Sequence, residues 1–384
     1  MKMISNDLRS SCRSLLLGAY QDSGGGDTPT EAKWEYPSNW LPLPDVGANE
    51  AAFLIFVKNT AENYNFSIAN GDYDIKPSYA DWGDGAIYNG TEDTRDKHNN
   101  LIYGDSHFYY FEDGTPLTDN LSMFVLRVRY PDGGWIDNVE IGTSNSGIYI
   151  PAFTIDCSLW GTSGITRFII SNYGNNLHYV KFCGDPENFG IRTFPLQNSG
   201  NLKRVDFENP PTKLPDYAFN GCNALNFDNL PDLESVTDIG NYCFCNCNSL
   251  EKISLPSLTA MGDYCFQWCM SLDEISMPEL LSVGSSAFYH CDGLQNINMP
   301  KVTSIGDYFA QNCSGLKSAM LPALETIGSN GFDGCPNLGT LDLSSLTTIA
   351  NNSIGTGCFS LNNLVMPNID ITQSNIFPQS YMIK

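Results

Sequence analysis

Hydrophobic and polar positions recur every 22 residues through the C-terminal half of the chain. A hydrophobic residue followed by a small one marks each step: Ile239-Gly240, Met261-Gly262, Val283-Gly284, Ile305-Gly306, Ile327-Gly328 and Ile349-Ala350. A column of leucines keeps the same step: Leu250, Leu272, Leu294, Leu316 and Leu338. Columns that stay in register over five periods are the signature of a stacked repeat.

The repeating unit reads Leu-x-x-Ile-x-Leu-Pro-x-Leu-x-x-Ile-Gly-x-x-x-Phe-x-x-Cys. The alternation at its start predicts a short strand whose inward side chains are apolar. The proline ends the strand ladder because it has no N–H to donate, and Ile-Gly predicts a turn into a short helical or irregular return. Because one unit cannot bury its apolar side alone, we expect residues 177–384 to form a solenoid of short parallel strands.

Looser copies of the unit precede the regular ones. They begin at Leu177, Leu202 and Leu225. Asp228 occupies a column that is otherwise apolar, so its rung is expected to be distorted or to act as a cap. The last unit begins at Leu361, which gives nine rungs in all.

The N-terminal part divides into four stretches. Residues 1–22 predict an amphipathic docking helix, with a frayed terminus as the alternative, and residues 23–33 predict a flexible linker. Residues 34–135 alternate strand-like runs with turn signals and predict an antiparallel β-sandwich, so the fold class is mainly β. Residues 136–176 show no period and form a transition segment. Four residues on one side of the predicted helix would attach it to a larger assembly: Ile4, Leu8, Leu15 and Leu16.

Charge and hydropathy narrow the function classes. The formal net charge is −23, and a surface this acidic repels phosphate backbones, so we expect no nucleic-acid partner. The longest apolar run, Ala51–Val57, is far shorter than the roughly 20 residues that a membrane-spanning helix needs, so no membrane insertion is expected. The apolar stretch Leu15–Tyr20 is too short for a secretory leader, which favours synthesis in a reducing cytoplasm.

Of the 13 cysteines, most lie in the repeats. Seven share one column, so their number tracks rungs rather than disulfide pairs: Cys222, Cys247, Cys269, Cys291, Cys313, Cys335 and Cys358. The dense cluster Cys243-x-Cys245-x-Cys247 lacks a second Cys or His pair at zinc spacing. Packing of small buried side chains is the favoured interpretation, and a metal site or a disulfide is the alternative.

No motif with catalytic spacing is found. The four histidines form no His-Glu-x-x-His, and there is no phosphate loop and no Gly-x-Ser-x-Gly elbow. Asp263 and Asp307 follow the turn glycine but alternate with Ser285 and Ser329, which favours turn capping over a ladder of calcium ions. We therefore expect no catalytic residues, no metal and no cofactor.

The outward positions of the predicted strands form a candidate ligand-binding surface. They begin with Tyr179/Lys181 and Arg204/Asp206 and continue along the regular rungs. This strip is polar and nearly free of large aromatic residues, which favours weak contact with carbohydrate over a tight protein interface. Its central members are Lys252, Ser254, Glu274, Ser276, Asn296 and Asn298. The aromatic residues of the return are expected to be core or oligomer contacts: Tyr264, Trp268, Tyr289 and Tyr308.

The stretch Ser254-Leu-Pro-Ser-Leu-Thr-Ala-Met-Gly-Asp-Tyr-Cys-Phe-Gln-Trp-Cys-Met-Ser-Leu272 resembles BspA-type leucine-rich repeats, which are common in bacterial surface proteins and in phage proteins. The resemblance covers residues 177–384 and implies a solenoid for adhesion or recognition rather than catalysis. Two positions depart from the pattern, Ala310 where phenylalanine is expected and Ser344 where proline is expected.

A second resemblance lies in the N-terminal module. Its five residues Asp81, Trp82, Gly83, Asp84 and Gly85 resemble the Asp-Trp-Gly-Asp-Gly turn of polycystic-kidney-disease-type β-sandwich domains. The two glycines permit backbone angles closed to other residues, and Asp84 can hydrogen-bond the turn from within. A cation bound by the two aspartates is the alternative. Together with the repeats, this module resembles tail- or fibre-type proteins of bacteriophages.

These resemblances imply a non-enzymatic virion structural protein, made in the host cytoplasm and attached through its N-terminus to other virion proteins. Its repeats would face a glycan or a protein of the host cell surface, and fibres of this kind are homo-oligomers, often trimers. The first alternative is a leucine-rich-repeat adhesin at a bacterial cell surface. The second is a tail-associated depolymerase.

Overall fold

A computed structural model describes residues 36–47, 50–58, 64–69, 77–90, 95, 106–109, 114–118, 121–129, 138–141, 148–156, 177–184, 196–230, 232–355 and 357–369. The predicted docking helix, with Ile4, Leu8, Leu15 and Leu16, lies outside the described residues, as does the predicted linker. Almost all regular structure in the described part is β, as the fold class predicted.

The N-terminal part forms an antiparallel sheet around one central strand. Among the described residues, nine strands precede the repeats: β1 (Glu50–Lys58), β2 (Tyr64–Ala69), β3 (Tyr79–Asp81), β4 (Ile87–Tyr88), β5 (Ser106–Tyr109), β6 (Thr115–Thr118), β7 (Leu121–Arg129), β8 (Asn138–Ile141) and β9 (Ile148–Asp156). Strand β1 pairs antiparallel with β7 and β9, and β7 pairs with β3 and β6. Strands β5, β2 and β8 form a separate antiparallel sheet.

The sheet that contains β1, β7 and β9 continues without a break into the first two rungs of the repeat. Strand β9 pairs parallel with β10 (Tyr179–Cys183), which pairs parallel with β11 (Arg204–Phe207). One hydrophobic core accordingly runs from Trp82 in the N-terminal sheet to Leu343 and Met366 in the last rungs. The antiparallel part therefore covers the end of the solenoid that would otherwise expose its apolar interior.

The solenoid has two columns of parallel strands, where the sequence predicted one. The predicted column contains β14 (Lys252–Ser254), β16 (Glu274–Ser276), β18 (Asn296–Asn298), β20 (Ser318–Met320), β22 (Thr340–Asp342) and β24 (Asn363–Val365). The second contains β12 (Lys213–Leu214), β13 (Asp238–Ile239), β15 (Ala260–Met261), β17 (Ser282–Val283), β19 (Ser304–Ile305), β21 (Thr326–Ile327) and β23 (Thr348–Ile349). The β-branched residue directly before the turn glycine in most rungs, as at Ile239, Val283 and Ile305, is the signal that would have identified it.

The rung that carries Asp228 departs from the others, as predicted. A short 3₁₀ helix, Phe227–Asn229, replaces the strand there, and Asp228 is exposed. The carboxylate could not replace the inward apolar residue without losing its hydration, so the backbone turns it to solvent.

The return side of each rung is neither a helix nor a strand, yet it is hydrogen-bonded between rungs. The amide of Phe244 donates to the carbonyl of Cys265 at 2.8 Å, and the amide of Phe266 donates to that of Ala287 at 2.8 Å. Left-handed residues recur in the returns, in several of them as two residues four positions apart, for example Tyr264 with φ of 58° and Trp268 with φ of 62°. All three sides of the solenoid are thus joined rung to rung.

The turn glycines are required by the close approach of adjacent rungs. A Cβ placed on Gly284 would lie 2.5 Å from the carbonyl carbon of Gly262 and 2.6 Å from the amide nitrogen of Asp263. Those atoms are backbone and cannot swing aside. The hydrophobic-glycine pair that marks the period therefore reports a steric limit on the spacing of the rungs.

Replacing a turn glycine should destabilise the solenoid. We expect Gly284→Ala to lower the free energy of unfolding by about 2–4 kcal/mol, because the added methyl group forces two rungs apart. Gly339→Ala is the matched control, since its Cβ would meet only ordinary contacts at 3.7 Å and beyond. Urea denaturation followed by tryptophan fluorescence measures both. Equal midpoints for the two variants would contradict the steric account.

A buried carboxylate joins the start of β1 to β7. Glu50 is 3% exposed, and its two oxygens accept hydrogen bonds from Arg127 at 2.6 Å and from Arg129 Nε at 2.7 Å. The amide of Gly47 also donates to Glu50 at 2.9 Å. Burial alone would raise the pKa of Glu50, but these hydrogen bonds and the charge of Arg127 outweigh it and lower the pKa to about 2.

This lowered pKa predicts a pH dependence of stability. The carboxylate is favoured in the folded state, so its contribution is complete above the ordinary glutamate pKa and is lost as the pH falls from about 4.5 towards 2. We expect Glu50→Gln to cost up to about 3 kcal/mol at pH 7 and progressively less below pH 4. Urea midpoints at several pH values test this, with the exposed Glu234→Gln as the control. A Glu50→Gln deficit that does not change with pH would contradict it.

Candidate interaction surfaces

The structure brings the predicted strip residues onto one exposed face. Lys252, Ser254, Glu274, Ser276, Asn296 and Asn298 are all exposed on β14, β16 and β18. The residues between them turn inward, with Ile253 and Ile297 buried in the core. Lys252 is in register with Glu274, and Ser254 is in register with Ser276. We call this face, from β14 to β24, the strand strip.

The strand strip continues with mainly polar residues along β20, β22 and β24. Ser318 donates from Oγ to Oδ1 of Asn296 at 2.7 Å, so one hydroxyl and one amide are linked across adjacent rungs. Met320 and Val365 are its exposed apolar members. The arrangement offers many hydrogen-bonding groups on a flat surface with little apolar area.

The first two rungs do not belong to this open face, contrary to the expectation for Tyr179/Lys181 and Arg204/Asp206. The segment 36–47 crosses the first of them: Asp45 accepts a hydrogen bond from Lys181 Nζ at 2.9 Å, and the ring of Tyr36 lies 5.6 Å from that of Tyr179. On the second, Arg204 Nε donates to Asp206 at 2.9 Å. The hydroxyl of Tyr179 donates to Asp206 at 3.0 Å. Burial, together with the charge of Asp206, raises the pKa of Tyr179.

The same segment covers the outer face of the N-terminal sheet. Trp40 is buried and packs with Leu54, Met123 and Ala152 in a second small core on the face opposite the main core. The sequence indicated only an extended proline-rich stretch here. Its role as a cover depends on contacts with residues far along the chain, such as Tyr36 with Tyr179, which no local pattern reveals.

The turn Asp81–Gly85 connects β3 and β4 as a tight hairpin. Oδ1 of Asp81 accepts the amide of Gly83, and Oδ1 of Asp84 accepts the amide of Ala86, each at 3.0 Å. Gly83 and Gly85 have φ of 81° and 92°, and Trp82 is fully buried. The two carboxylates are therefore used inside the turn, and each holds one of its backbone amides.

The cysteine column is used for hydrogen bonds between rungs. Each thiol donates to a carbonyl in the return of the preceding rung, as in Cys269 to Phe244 and Cys291 to Phe266, both at 3.0 Å. Burial raises the pKa of these thiols, to about 12 for Cys313 and about 11 for Cys358. The 11 cysteines in the described part of the chain are buried and unpaired by disulfides.

Ala310 stands where the repeat has phenylalanine because the phenylalanine of this rung lies one position earlier, at Phe309. In the rungs before it, phenylalanines stack face to face, as in Phe244 on Phe266 at 5.3 Å. At the exchanged rung Phe309 fills the space from the adjacent position and meets Phe288 and Phe332 edge to face at 5.5 and 5.7 Å. The core volume is conserved although the order of the two residues is reversed.

The acidic residues after the turn glycines cap the next rung. Oδ1 of Asp263 accepts the amide of Ser285, and Oδ1 of Asp307 accepts the amide of Ser329, both at 2.7 Å. Within the described ranges, no group of three or more His, Cys, Asp or Glu side chains is arranged to hold a metal ion. No helix in that same part of the chain is long and apolar enough to cross a membrane.

The return side carries aromatic stacks at the surface, which sequence reasoning assigned to the core or to oligomer contacts. Tyr242 lies between Tyr217 and Tyr264, with ring centroids 4.9 and 4.5 Å away. Trp268 stacks on His290 at 4.1 Å. Tyr308 is 41% exposed. The recurrence of tyrosine at Tyr217, Tyr242, Tyr264 and Tyr308, one or two repeats apart, was the signal that could have identified this surface.

Comparison with protein families identifies the family of the repeats. The model described as BspA type Leucine rich repeat region matches in six copies over residues 190–317 and 259–384. The two ranges together take in just over half of the chain. A comparison with curated proteins gave no significant match.

Solved leucine-rich-repeat structures are similar at low identity. A leucine-rich-repeat protein of T. pallidum is 22% identical over 45% of this chain and 82% of its own, with a TM-score of 0.30. A leucine-rich cell surface protein of Faecalibacterium prausnitzii is 17% identical over 61% and 90%, with a TM-score of 0.32. A leucine-rich-repeat protein of Bacteroides ovatus is 19% identical over 60% and 84%, with a TM-score of 0.25.

The raised thiol pKa values predict chemical inertness of the column. At pH 8 the thiols that donate to carbonyls stay protonated, so we expect iodoacetamide to leave Cys269, Cys291 and Cys313 unmodified in the folded chain and to modify them fully in urea. Peptide mapping by mass spectrometry reads each site separately. Rapid modification of these three cysteines in the folded protein would contradict the hydrogen-bonded arrangement.

Proposed function

Because the chain belongs to the BspA-type leucine-rich-repeat family, we propose that it is a non-enzymatic cell-surface protein whose solenoid adheres to other surfaces. The carrying observation is the strand strip, a row of exposed polar side chains on a stack that is hydrogen-bonded on three sides. A stiff scaffold loses little conformational entropy on binding, so many weak contacts can add up to useful affinity.

The chemistry of the strip supports carbohydrate or polar protein surfaces as partners. Asn296, Asn298 and Ser254 offer amide and hydroxyl groups that donate and accept hydrogen bonds. The strip has few apolar groups, so a tight protein interface with aromatic anchors is not its chemistry. The net charge of −23 disfavours polyanionic partners, including nucleic acids.

A non-enzymatic role fits the way the reactive side chains are used. The described thiols of the repeat column donate to carbonyls, and Asp263 and Asp307 hold backbone amides of the next rung. These thiols and carboxylates form hydrogen bonds between adjacent rungs. The depolymerase alternative has no observation in its favour.

A cell-surface location is preferred here to a virion. The bacteriophage resemblance and the polycystic-kidney-disease-type module have no support among the comparisons. A bacterial adhesin agrees with the repeat family at least as well as a virion protein does. The N-terminal attachment to other virion proteins and the trimeric homo-oligomer stay predictions. Antibodies against the solenoid should label the envelope of intact bacterial cells, and labelling confined to phage particles would reverse this preference.

Adhesion should depend on the strand strip. We expect the fluorescent chain to bind intact epithelial or bacterial cells saturably, and the combined variant Glu274→Ala, Asn296→Ala and Asn298→Ala to bind about tenfold more weakly, because it removes three hydrogen-bonding groups from one face. The double variant Thr326→Ala and Thr348→Ala, which truncates exposed residues of the other strand column, is the control. Unchanged binding of the triple variant would remove the strip from the proposal, and no saturable binding by the unaltered chain would overturn the adhesion role.

A further inference from the structure

The return side combines a row of surface tyrosines with a row of aspartates. Its tyrosines are the half-buried Tyr217, Tyr242 and Tyr264 and the exposed Tyr308. The first three rings stack nearly parallel, with interplanar angles of 3° and 7°. In the part of the chain that the structure describes, no ring stacks on Tyr308. We call this surface the return face, and its acidic members, which directly precede three of the tyrosines, are Asp216, Asp263 and Asp307.

The acidic row is held in place by hydrogen bonds between rungs. Oδ1 of Asp216 accepts the amide of Asn241 at 2.6 Å, and Oδ1 of Asn241 accepts the amide of Asp263 at 2.8 Å. Asp263 and Asp307 each accept the amide of the following rung, also through Oδ1. Within the described residues no hydrogen bond uses Oδ2 of the three aspartates, so this oxygen can accept one from a partner.

The return face carries negative charge without lysine or arginine to balance it. Neither residue type occurs in the return segments, which are residues 216–222, 240–249, 262–271, 284–293, 306–315 and 328–337. Burial, the adjacent Tyr264 and Tyr217 and the charge of Asp263 raise the pKa of Tyr242, so this carboxylate acts on the tyrosine stack. Charge complementarity therefore calls for a positively charged partner.

The carboxylates recur at every second rung. Ring centroids of successive tyrosines in the stack are 4.9 and 4.5 Å apart. Because the rings are nearly parallel, Asp216 and Asp263 lie about 9–10 Å apart along the solenoid, as two rungs at the usual strand spacing require. The same step of two rungs separates Asp263 from Asp307, since the strands beside them pair rung to rung.

This spacing matches one turn of a polyproline II helix. Such a helix has three residues per turn and rises about 3.1 Å per residue, so every third side chain lies on one side at intervals of about 9 Å. Side chains on one face of an extended strand recur at about 7 Å and fall out of step with the carboxylates. Polyproline II segments also dock on aromatic surfaces, and arginine pairs with carboxylates and stacks on aromatic rings.

We propose that the return face binds a polyproline II segment of a partner protein that carries arginine at every third residue. The arginines pair with Asp216, Asp263 and Asp307, and the prolines between them lie against the tyrosines. This surface lies on a different side of the solenoid from the strand strip, so the proposal goes beyond the adhesion role and does not depend on it.

Two peptides of one composition test the spacing. One consists of four Arg-Pro-Pro repeats, and the other has the four arginines in a single block between the prolines. We expect the full chain to bind the repeat peptide about tenfold more tightly in isothermal titration calorimetry, because only its arginines reach successive carboxylates at once. Equal affinities would reduce the interaction to attraction by net charge and would overturn the proposal.

Neutralising the acidic row should weaken binding without unfolding the chain. The combined variant Asp216→Asn, Asp263→Asn and Asp307→Asn removes three charges, and each new side chain can still accept the amide of the next rung, as Asn241 does. We expect its affinity for the repeat peptide to fall at least about tenfold. The matched control removes the same charge from three exposed side chains outside the returns, in Glu234→Gln, Glu251→Gln and Glu325→Gln.

The aromatic row is tested separately. Tyr308 is 41% exposed, so Tyr308→Leu should fold normally, and we expect it to bind the repeat peptide about threefold more weakly because an arginine loses its ring. The control variant should bind as tightly as the unaltered chain.

The outcomes separate this surface from the adhesion role. If the aspartate variant binds the repeat peptide as tightly as the unaltered chain, or if the control variant loses as much affinity, the return face is not the site. If the chain adheres to cells but binds neither peptide, this proposal fails and adhesion stands. If the repeat peptide binds as expected and no saturable adhesion is found, the adhesion role fails and the return face stands.

Discussion

The spacing between rungs is the constraint on which the rest of the solenoid depends. Parallel strands must lie about 4.8 Å apart to hydrogen-bond, and here that distance is imposed on both strand columns and on the return. At Gly284 the return of one rung meets the backbone of the previous rung so closely that a single methyl group cannot be accommodated. Any side chain that is repeated at the same position must therefore stack on its own copy.

Stacking of like on like explains which residues the repeat uses. Flat rings stack at this spacing, as Phe244 does on Phe266. Thiols such as Cys291 are small enough to be buried at every rung, and they still reach the carbonyl of the rung before. An aspartate such as Asp263 accepts the amide of the next rung. Each column thus satisfies backbone groups that strands alone would leave unpaired in the return.

The N-terminal sheet covers the first rung of the solenoid, which would otherwise be open to solvent. An exposed first rung would present unpaired backbone groups and open core. Strand β9 pairs with β10, so the antiparallel sheet supplies both the hydrogen bonds and the apolar cover, and Trp40 seals its outer face. The same arrangement restricts the open strand strip to the regular rungs, because segment 36–47 lies over Tyr179 and Lys181.

The sequence by itself determined the period, the strand that begins each unit, the distorted rung at Asp228 and the face on which Lys252 to Asn298 lie. It could do so because these features depend on neighbours one rung away, which a fixed period places in register. Only the tertiary structure decided the second strand column, the cover of segment 36–47 over Tyr179 and Lys181, and the stacking of Tyr242 between Tyr217 and Tyr264. The strands of the second column have only two residues, which is too short to show alternation, and the cover depends on contacts between residues far apart in the chain. Recurring residue types mark the positions of these strands and rings, but how they pair and stack is set by the packing of one rung on the next.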